Sequence, residues 1–310
     1  MKKVFIDGKA GTTGLRIYER LADRDDVTLI LLSDEERKDT EARKRALNGC
    51  DIAFLCLPDD AAREAVSLIE NPDVVVIDAS TAHRTEVGWS YGFPELSNDA
   101  EEKIRSSKRI ANPGCHASGF IALVYPLVEA GILPADELLS CHSITGYSGG
   151  GKKMIADYEQ ENREVLLDYP RQYGIGQSHK HLKEMKYVTG LDNAPVFSPI
   201  VSDFYSGMEV TVPLFAKNLN EGYTIDDVKE VLKNKYKGNI VKYVERADDE
   251  GFLSAGKLAE KDSMIVTVCG NEDRFILVAL YDNLGKGASG AAVECMNIVM
   301  GEAPEKGLVI

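Results

Sequence analysis

Cys115 stands in IANPGCHASGF, residues 110–120, between a Pro-Gly pair and a run that turns apolar at helical spacing. A cysteine at a helix start meets unpaired N–H groups and the positive end of the helix dipole. Both favour thiolate over thiol, and thiolate is the reactive form. The residue also follows a strand-like run, where doubly wound sheets bind ligands, so it reads as a nucleophile rather than a small buried apolar group. A nucleophile needs a base, and GQSHKHLKEM, residues 176–185, supplies candidates. If Ser178 caps a helix beginning at His179, then His179 and His181 point to nearly opposite sides while His181 and Glu184 share a face. That makes His181 the base, Glu184 the group that orients it, and His179 a ligand-facing or surface imidazole. On an extended stretch the two histidines would share one side.

A second constellation lies near the N-terminus. Gly8, Gly11 and Gly14 follow a GxxGxxG spacing, with Thr12 and Thr13 between the last two, after an apolar strand-like run and before a run with helical periodicity. In that setting backbone N–H groups and a helix dipole meet a phosphate, which is the arrangement of a dinucleotide site. In LLSDEERKD, further along, Asp34 suits a free ribose 2′-hydroxyl, whereas Ser33, Arg37 and Lys38 suit a 2′-phosphate. On these residues alone NAD and NADP both remain open. Two more stretches could hold anions. DASTAHRTEVGW carries Ser80, Thr81 and Arg84, and ITGYSGGGKKM sets Ser148 and Gly149 beside Lys152 and Lys153.

These side chains need elements to position them. Strand-like runs at 27–33, 51–57, 73–80 and 108–113 alternate with helix-compatible segments at 34–47 and 59–70, as expected for a doubly wound parallel sheet covered on both faces. Beyond about residue 115 the texture changes. A long apolar helix leads to strand-like runs at 138–146, 195–201, 207–215, 240–245, 264–269 and 274–281, several without helices between them, which predicts a mostly antiparallel sheet with one wet side. Thr224 and Asp227 form a variant capping box before IDDVKEVLKNKY, and GASGAAVECMNIVMG is helical again. The fold class is therefore α/β, a Rossmann-type parallel sheet with a second α+β domain.

Composition narrows the function. With 44% hydrophobic and 28% charged residues the chain is that of a globular protein, and a net charge of −14 repels nucleic acid and anionic membrane surfaces alike. No apolar run approaches membrane-spanning length, and MKKVFIDG begins a strand at once, so a cytoplasmic protein with free thiols is expected. Cys50, Cys56, Cys141, Cys269 and Cys295 lack the setting of Cys115 and read as structural. Without a CxxC pair or metal-type spacing to histidine, no metal is expected.

Taken together, DGKAGTTGLRI, LCLPDDAAREAV, DASTAHRTEVGWSYGFPEL, NPGCHASG, GYSGGGKKMI, HKHLKEM and DNLGKGASGAAV closely resemble N-acetyl-gamma-glutamyl-phosphate reductase, most of all its shorter class, from residue 4 to about 300. The resemblance implies the architecture shared with aspartate-semialdehyde dehydrogenase: an NADP-binding domain of residues 1–114 and 286–310, and a catalytic domain of residues 115–285. It implies a homo-oligomer that uses NADPH to convert N-acetyl-glutamyl 5-phosphate, a small-molecule acyl phosphate, to the semialdehyde in arginine biosynthesis. By carry-over Cys115 is the nucleophile, the histidines of HKHLKE are the acid/base segment, and Gly287 and Ala288 of GKGASG lie near the nicotinamide. Ser148 and Gly149 are assigned to the cofactor, and Ser80, Arg84, Asn112 and Lys152 to the substrate. The chain departs from the family at His116-Ala117-Ser118, where Tyr, Pro or Ala then Thr-Gly is usual, and at Lys183, where Pro is usual. Ser118 keeps a hydroxyl for helix capping. The competing readings are a reductase of a related acyl phosphate, a cofactor-free Cys/His hydrolase, and a non-catalytic NADP sensor.

Overall fold

The computed structural model describes residues 1–310, which divide into two compact units. The first comprises Met1–Pro113 and Ala288–Leu308. Its strands β1 (Lys2–Asp7), β2 (Val27–Ile30), β3 (Ile52–Leu55), β4 (Val75–Asp78), β5 (Ser90–Tyr91) and β6 (Arg109–Ala111) form one sheet in the order β2-β1-β3-β4-β6-β5. Every pairing is parallel. The helices between them are α1 (Thr12–Leu21), α2 (Thr40–Gly49), α3 (Asp59–Ser67) and α4 (Asn98–Ser106).

Alternation along the strands sends side chains to two cores. Val4, Ile6, Ile52, Phe54 and Ile77 meet α1, α4 and the chain's last helix, Gly290–Met300, through Ile17, Leu21, Ile104, Val293 and Met296. Phe5, Ala53, Leu55 and Val76 face α2 and α3 through Leu47 and Ala65. The helical segment expected at 34–47 is broken in two. Glu36–Lys38 make a single 3-10 turn, and Asp39 then starts α2 by accepting from the Ala42 N–H at 2.6 Å. An acidic side chain placed to cap a helix ends the preceding turn for the same reason.

The second unit comprises Gly114–Gly287 and Val309–Ile310. Its helices are α5 (Cys115–Glu129), α6 (Gly151–Glu159), α7 (His181–Thr189) and α8 (Ile225–Lys235). Its strands are β7 (Ser140–Gly146), β8 (Arg171–Gln172), β9 (Val196–Ser202), β10 (Met208–Phe215), β11 (Val241–Tyr243), β12 (Met264–Gly270) and β13 (Arg274–Tyr281), in the order β11-β12-β13-β10-β7-β9-β8. The sheet is mixed: β7 runs parallel to β9 and β11 to β12, while the β12, β13, β10 and β7 neighbours are antiparallel. The GYSGGGKKM stretch closes β7 with a 3-10 turn and opens α6.

Helix α5 is buried along most of its length and contains Pro126. Proline lacks an N–H, so the carbonyl of Ala122 loses its helical donor. The Tyr236 hydroxyl supplies the replacement, donating to that carbonyl at 2.7 Å. Thr224 opens α8 as the capping box requires, its N–H and hydroxyl both donating to the Asp227 carboxylate, at 2.8 and 2.7 Å.

Candidate active site

In the first unit the glycine turn sits between β1 and β3, the point where the sheet's connections change direction. Gly8 has φ +89°, and a side chain there would run into the Cys56 carbonyl. Gly11 precedes α1, whose first-turn N–H groups, on Thr12, Thr13 and Gly14, have no carbonyl ahead of them in the helix. Gly14 is buried, and a Cβ there would lie 2.5 Å from the Gly8 carbonyl oxygen. The three glycines thus have three separate causes: a left-handed turn, an open approach and a close helix–turn contact.

Beside this turn lies a cavity of about 280 Å³ lined by Asp7, Gly8, Asp34, Arg37, Lys38, Arg43, Leu57 and Ala61. A nicotinamide dinucleotide fits this donor set: helical N–H groups for the diphosphate and cations for a ribose phosphate. Arg37 is ion-paired with Asp34, so a guanidinium and a carboxylate share one wall of the cavity. Ser33 and Glu36 hold one another, Ser33 N–H donating to the Glu36 carboxylate at 2.9 Å and Glu36 N–H to Ser33 Oγ at 3.2 Å. Arg43 and the buried Asp7 were not singled out in the sequence. Arg43 donates to Asp7 at 2.9 and 3.1 Å, and burial pushes that carboxyl up despite the guanidinium's opposing pull.

The Ser80–Arg84 loop is tied to the same unit. Ser80 Oγ donates to Asp78 at 2.7 Å, and His83 Nδ1 lies 2.6 Å from that carboxylate with its ring stacked on Trp89. Arg84 is buried, and donates to the carbonyls of Asn112 at 2.9 Å and Ala79 at 3.1 Å. Asn112 in turn donates to the Ala288 carbonyl at 2.9 Å. The arginine expected to help hold an anion is buried and also braces two strand ends, as a buried guanidinium must fill its donors.

In the second unit Cys115 is the first residue of α5 and is partly exposed, with Gly114 as the N-cap in extended backbone. Glu184 Oε1 accepts from the Gly114 N–H at 2.8 Å. This bond across 70 residues anchors the turn that carries Cys115 and gives Glu184 a contact that the shared helix face with His181 does not indicate. Ser118 does not cap α5. Its hydroxyl donates back to the Gly114 carbonyl at 3.1 Å, since a residue inside the helix reaches the carbonyl four positions earlier.

Helix α7 begins at His181, not at His179, and Ser178 caps nothing. His179 lies in the turn before it, where its Nδ1 accepts from the His181 N–H at 3.2 Å. The opposite orientation expected of the two histidines therefore fails: their rings stand 4.7 Å apart, edge to face. His116 completes a cluster, with ring centroids 5.8 Å from His179 and 5.6 Å from His181. Its Nδ1 lies 2.6 Å from Ser143 Oγ and its Nε2 2.6 Å from the Tyr173 hydroxyl. Burial, with the neighbouring His179 second, pulls the His116 pKa down to about 3, so this imidazole stays neutral. Burial, and then the charge of the Cys115 thiolate, pushes the Tyr173 phenol well up.

Among the other expected residues, Gly287 adjoins Cys115, for a Cβ there would stand 3.2 Å from Cys115 Cβ. Ser148 is buried and accepts from Asn283 at 3.0 Å, Gly149 is exposed beside it, and Lys152 is exposed on α6. His116, Tyr173 and Tyr281 were not foreseen. His116 and Tyr281 are buried and Tyr173 partly so, each paired with a group distant in the chain, which no local spacing reports.

Comparison with known proteins decides the family. The semialdehyde dehydrogenase NAD-binding domain matches residues 3–104, and the semialdehyde dehydrogenase dimerisation domain matches residues 115–283. N-acetyl-gamma-glutamyl-phosphate reductase 2 of Nostoc sp. is 44% identical over 99% of this chain and 99% of its own. The N-acetyl-gamma-glutamyl-phosphate reductase of Brucella ovis is 46% identical over 97% of this chain and 99% of its own. The chain belongs to the N-acetyl-gamma-glutamyl-phosphate reductase family. It is an oxidoreductase, and its first unit is the nicotinamide dinucleotide domain of that family. Solved structures agree on the fold. Aspartate semialdehyde dehydrogenase II of Vibrio cholerae, complexed with ASA, superposes with a TM-score of 0.71 at 18% identity, covering 97% of this chain and 98% of that one. The Candida albicans aspartate semialdehyde dehydrogenase with NADP gives 0.65 at 15% identity over 97% and 99%. No helix of the chain is long and apolar enough to cross a membrane.

Proposed function

We propose that the chain reduces N-acetyl-L-glutamyl 5-phosphate to N-acetyl-L-glutamate 5-semialdehyde with NADPH, releasing phosphate, as a step of arginine biosynthesis. The observation that carries this reading is a cysteine at the first position of a helix whose N-cap N–H is held by Glu184, in the unit where His179 and His181 meet ring to ring. The relatives named for this activity span the whole chain.

An acyl phosphate is a labile mixed anhydride, and a covalent detour protects it from water. The Cys115 thiolate attacks the acyl carbon, the bond to the phosphate oxygen breaks, and phosphate leaves with the electron pair. The N–H groups of the first turn of α5 receive the oxyanion that forms in passing. When bound, a reduced nicotinamide would supply the hydride that takes this thioester to a thiohemiacetal. The His179–His181 pair then gives a proton to the oxygen of the thiohemiacetal and takes it back as the carbon–sulfur bond breaks, which frees the aldehyde and restores the thiolate. His179 Nδ1 is engaged by the His181 N–H, so the neutral His179 ring carries its proton on Nε2.

In the first unit Gly8, Gly11, Thr12, Thr13 and Gly14 hold the diphosphate, and Ser33, Arg37 and Lys38 face the 2′-phosphate. Ser80, Arg84 and Asn112 shape the substrate end of that sheet, and Ala288 the nicotinamide end. In the second unit Ser148, Gly149 and Gly287 serve the cofactor and Lys152 the substrate. The six cysteines are free, which suits a reducing compartment such as the cytoplasm. The dimerisation-domain match of the second unit supports a homo-oligomer.

The test is the reverse reaction, NADP reduction with N-acetyl-glutamate 5-semialdehyde and phosphate, run beside aspartate semialdehyde. The first aldehyde is the faster substrate, and Cys115→Ala binds NADPH but forms no acyl-enzyme. Faster turnover of aspartate semialdehyde moves the assignment to a related acyl phosphate. Substantial turnover by Cys115→Ala removes the thioester.

A further inference from the structure

We infer that Tyr281 is a positioning residue for Cys115, an inference that rests on the thiol being the reacting group. Tyr281 ends β13 and is fully buried. Its hydroxyl donates to the Cys115 carbonyl at 2.5 Å and accepts from the Gly119 N–H at 3.1 Å. An unbroken α-helix joins those two groups, four residues apart, directly to one another. The phenol lies beside that bond in the first turn of α5, sharing its carbonyl and its N–H, and so ties the turn to the end of β13.

Room for this bridge has been made on two sides. A Cβ on Gly119 would lie 2.7 Å from the Tyr281 hydroxyl and 2.7 Å from Val210 Cγ2. A Cβ on Gly287 would lie 3.2 Å from Cys115 Cβ and 3.3 Å from Tyr281 Cε2. The glycine four residues after the cysteine is thus needed for the phenol, and not for turn geometry, because it lies inside a helix.

The contrast with the far end of α5 shows that the bridge is not a repair. At Ala122 a proline has removed the donor, and Tyr236 replaces it. At Cys115 nothing is missing, since Gly119 has its own N–H to offer. The Tyr281 hydroxyl is therefore dispensable for hydrogen-bond satisfaction and instead sets the backbone of the residue that carries the sulfur. Fixing that carbonyl fixes the direction in which Cβ and Sγ leave the chain. Burial raises the Tyr281 phenol far above its ordinary value, so it remains a donor at every working pH.

The test is Tyr281→Phe in the full-length chain. Without the hydroxyl, the helical bond between Cys115 and Gly119 remains, so the melting temperature stays within a few degrees of the wild type. We expect kcat to fall about ten- to a hundredfold, as for a reacting atom displaced by a fraction of an ångström to 1 Å, with both KM values changed less than threefold. Alkylation of Cys115 by iodoacetamide, located by peptide mass spectrometry, falls by a similar factor. The alkylation result stands even if the wild type proves to reduce no acyl phosphate, which separates this inference from the proposed reaction. It is overturned if the variant keeps its alkylation rate within twofold. It is equally overturned if the variant does not fold, because the hydroxyl then supports the fold rather than the aim of the sulfur.

Discussion

Gly11 and Gly14 are both glycines of one turn, yet adding a methyl group to each should have opposite consequences. A Cβ at Gly14 lies 2.5 Å from the Gly8 carbonyl oxygen, 2.9 Å from Lys9 Cα and 3.0 Å from the Gly8 carbonyl carbon. All three are backbone atoms, so none can swing aside. Comfortable separation is about 3.5–4.0 Å between carbons, which requires the helix or the turn to move by up to about 1 Å. Overpacking of this kind costs about 1–3 kcal/mol, and the upper end applies where backbone must shift. Alanine's better helix propensity returns about 1 kcal/mol. The net loss is about 2 kcal/mol, or a fall of about 5–10 °C in melting temperature for a unit of this size. A Cβ at Gly11 meets nothing closer than 3.4 Å, and its φ of −73° suits any residue. Gly11→Ala should therefore stay within about 3 °C of the wild type. It should nonetheless weaken NADPH binding, since a methyl group at the mouth of the α1 N–H groups disturbs a charge-assisted hydrogen bond worth about 1.5–3 kcal/mol, roughly ten- to a hundredfold in Kd. Thermal unfolding and a fluorescence titration with NADPH measure both quantities. Equal melting temperatures for wild type and Gly14→Ala, or unchanged NADPH affinity in Gly11→Ala, would show that the three-cause account of the turn is wrong.

Two further outcomes follow from side-chain environments. His116 has a folded-state pKa of about 3 against an ordinary value of 6.5, so below pH 6.5 the unfolded chain takes up a proton that the folded chain does not. This group therefore lowers stability as pH falls from about 6.5 towards 3, by about 1.4 kcal/mol per unit, and His116→Phe should flatten the decline. Urea midpoints for both proteins at pH 7, 6 and 5 test it, and parallel slopes would refute it. At the ribose end, Asp34→Asn frees Arg37 from its ion pair and removes a negative charge from the cavity. NADPH affinity should rise several-fold while NADH gains nothing, and an unaltered ratio of the two dissociation constants would discard the Asp34–Arg37 competition.

The alternation of apolar strands and helices over the first hundred residues was legible because each strand of a covered parallel sheet is apolar on both faces, as Ile52–Leu55 and Val75–Asp78 are here. The glycine turn was legible for a related reason, since its constraints come from neighbours a few residues away. The HKHLKEM segment was misread at its first turn, where His179 rather than Ser178 supplies the side-chain acceptor for the His181 N–H. The second sheet was read as mostly antiparallel, but periodicity along a strand carries no record of its partner's direction, and the parallel β7–β9 pairing passed unseen.

By itself the sequence established the chemistry on offer: a thiol after a Pro-Gly turn at a helix start, two imidazoles two residues apart, and a glycine spacing that exposes helical N–H groups. These are local properties, determined by backbone sterics and by hydrogen bonds between near neighbours. Only the tertiary structure decided which distant side chains hold the backbone that carries the thiol. Glu184 reaches the N-cap of α5 across 70 residues, and Tyr281 reaches the carbonyl of its first residue across 166. Such partners are chosen by which strand ends beside which helix, and that choice is made by the packing of the whole core rather than by any stretch of the chain.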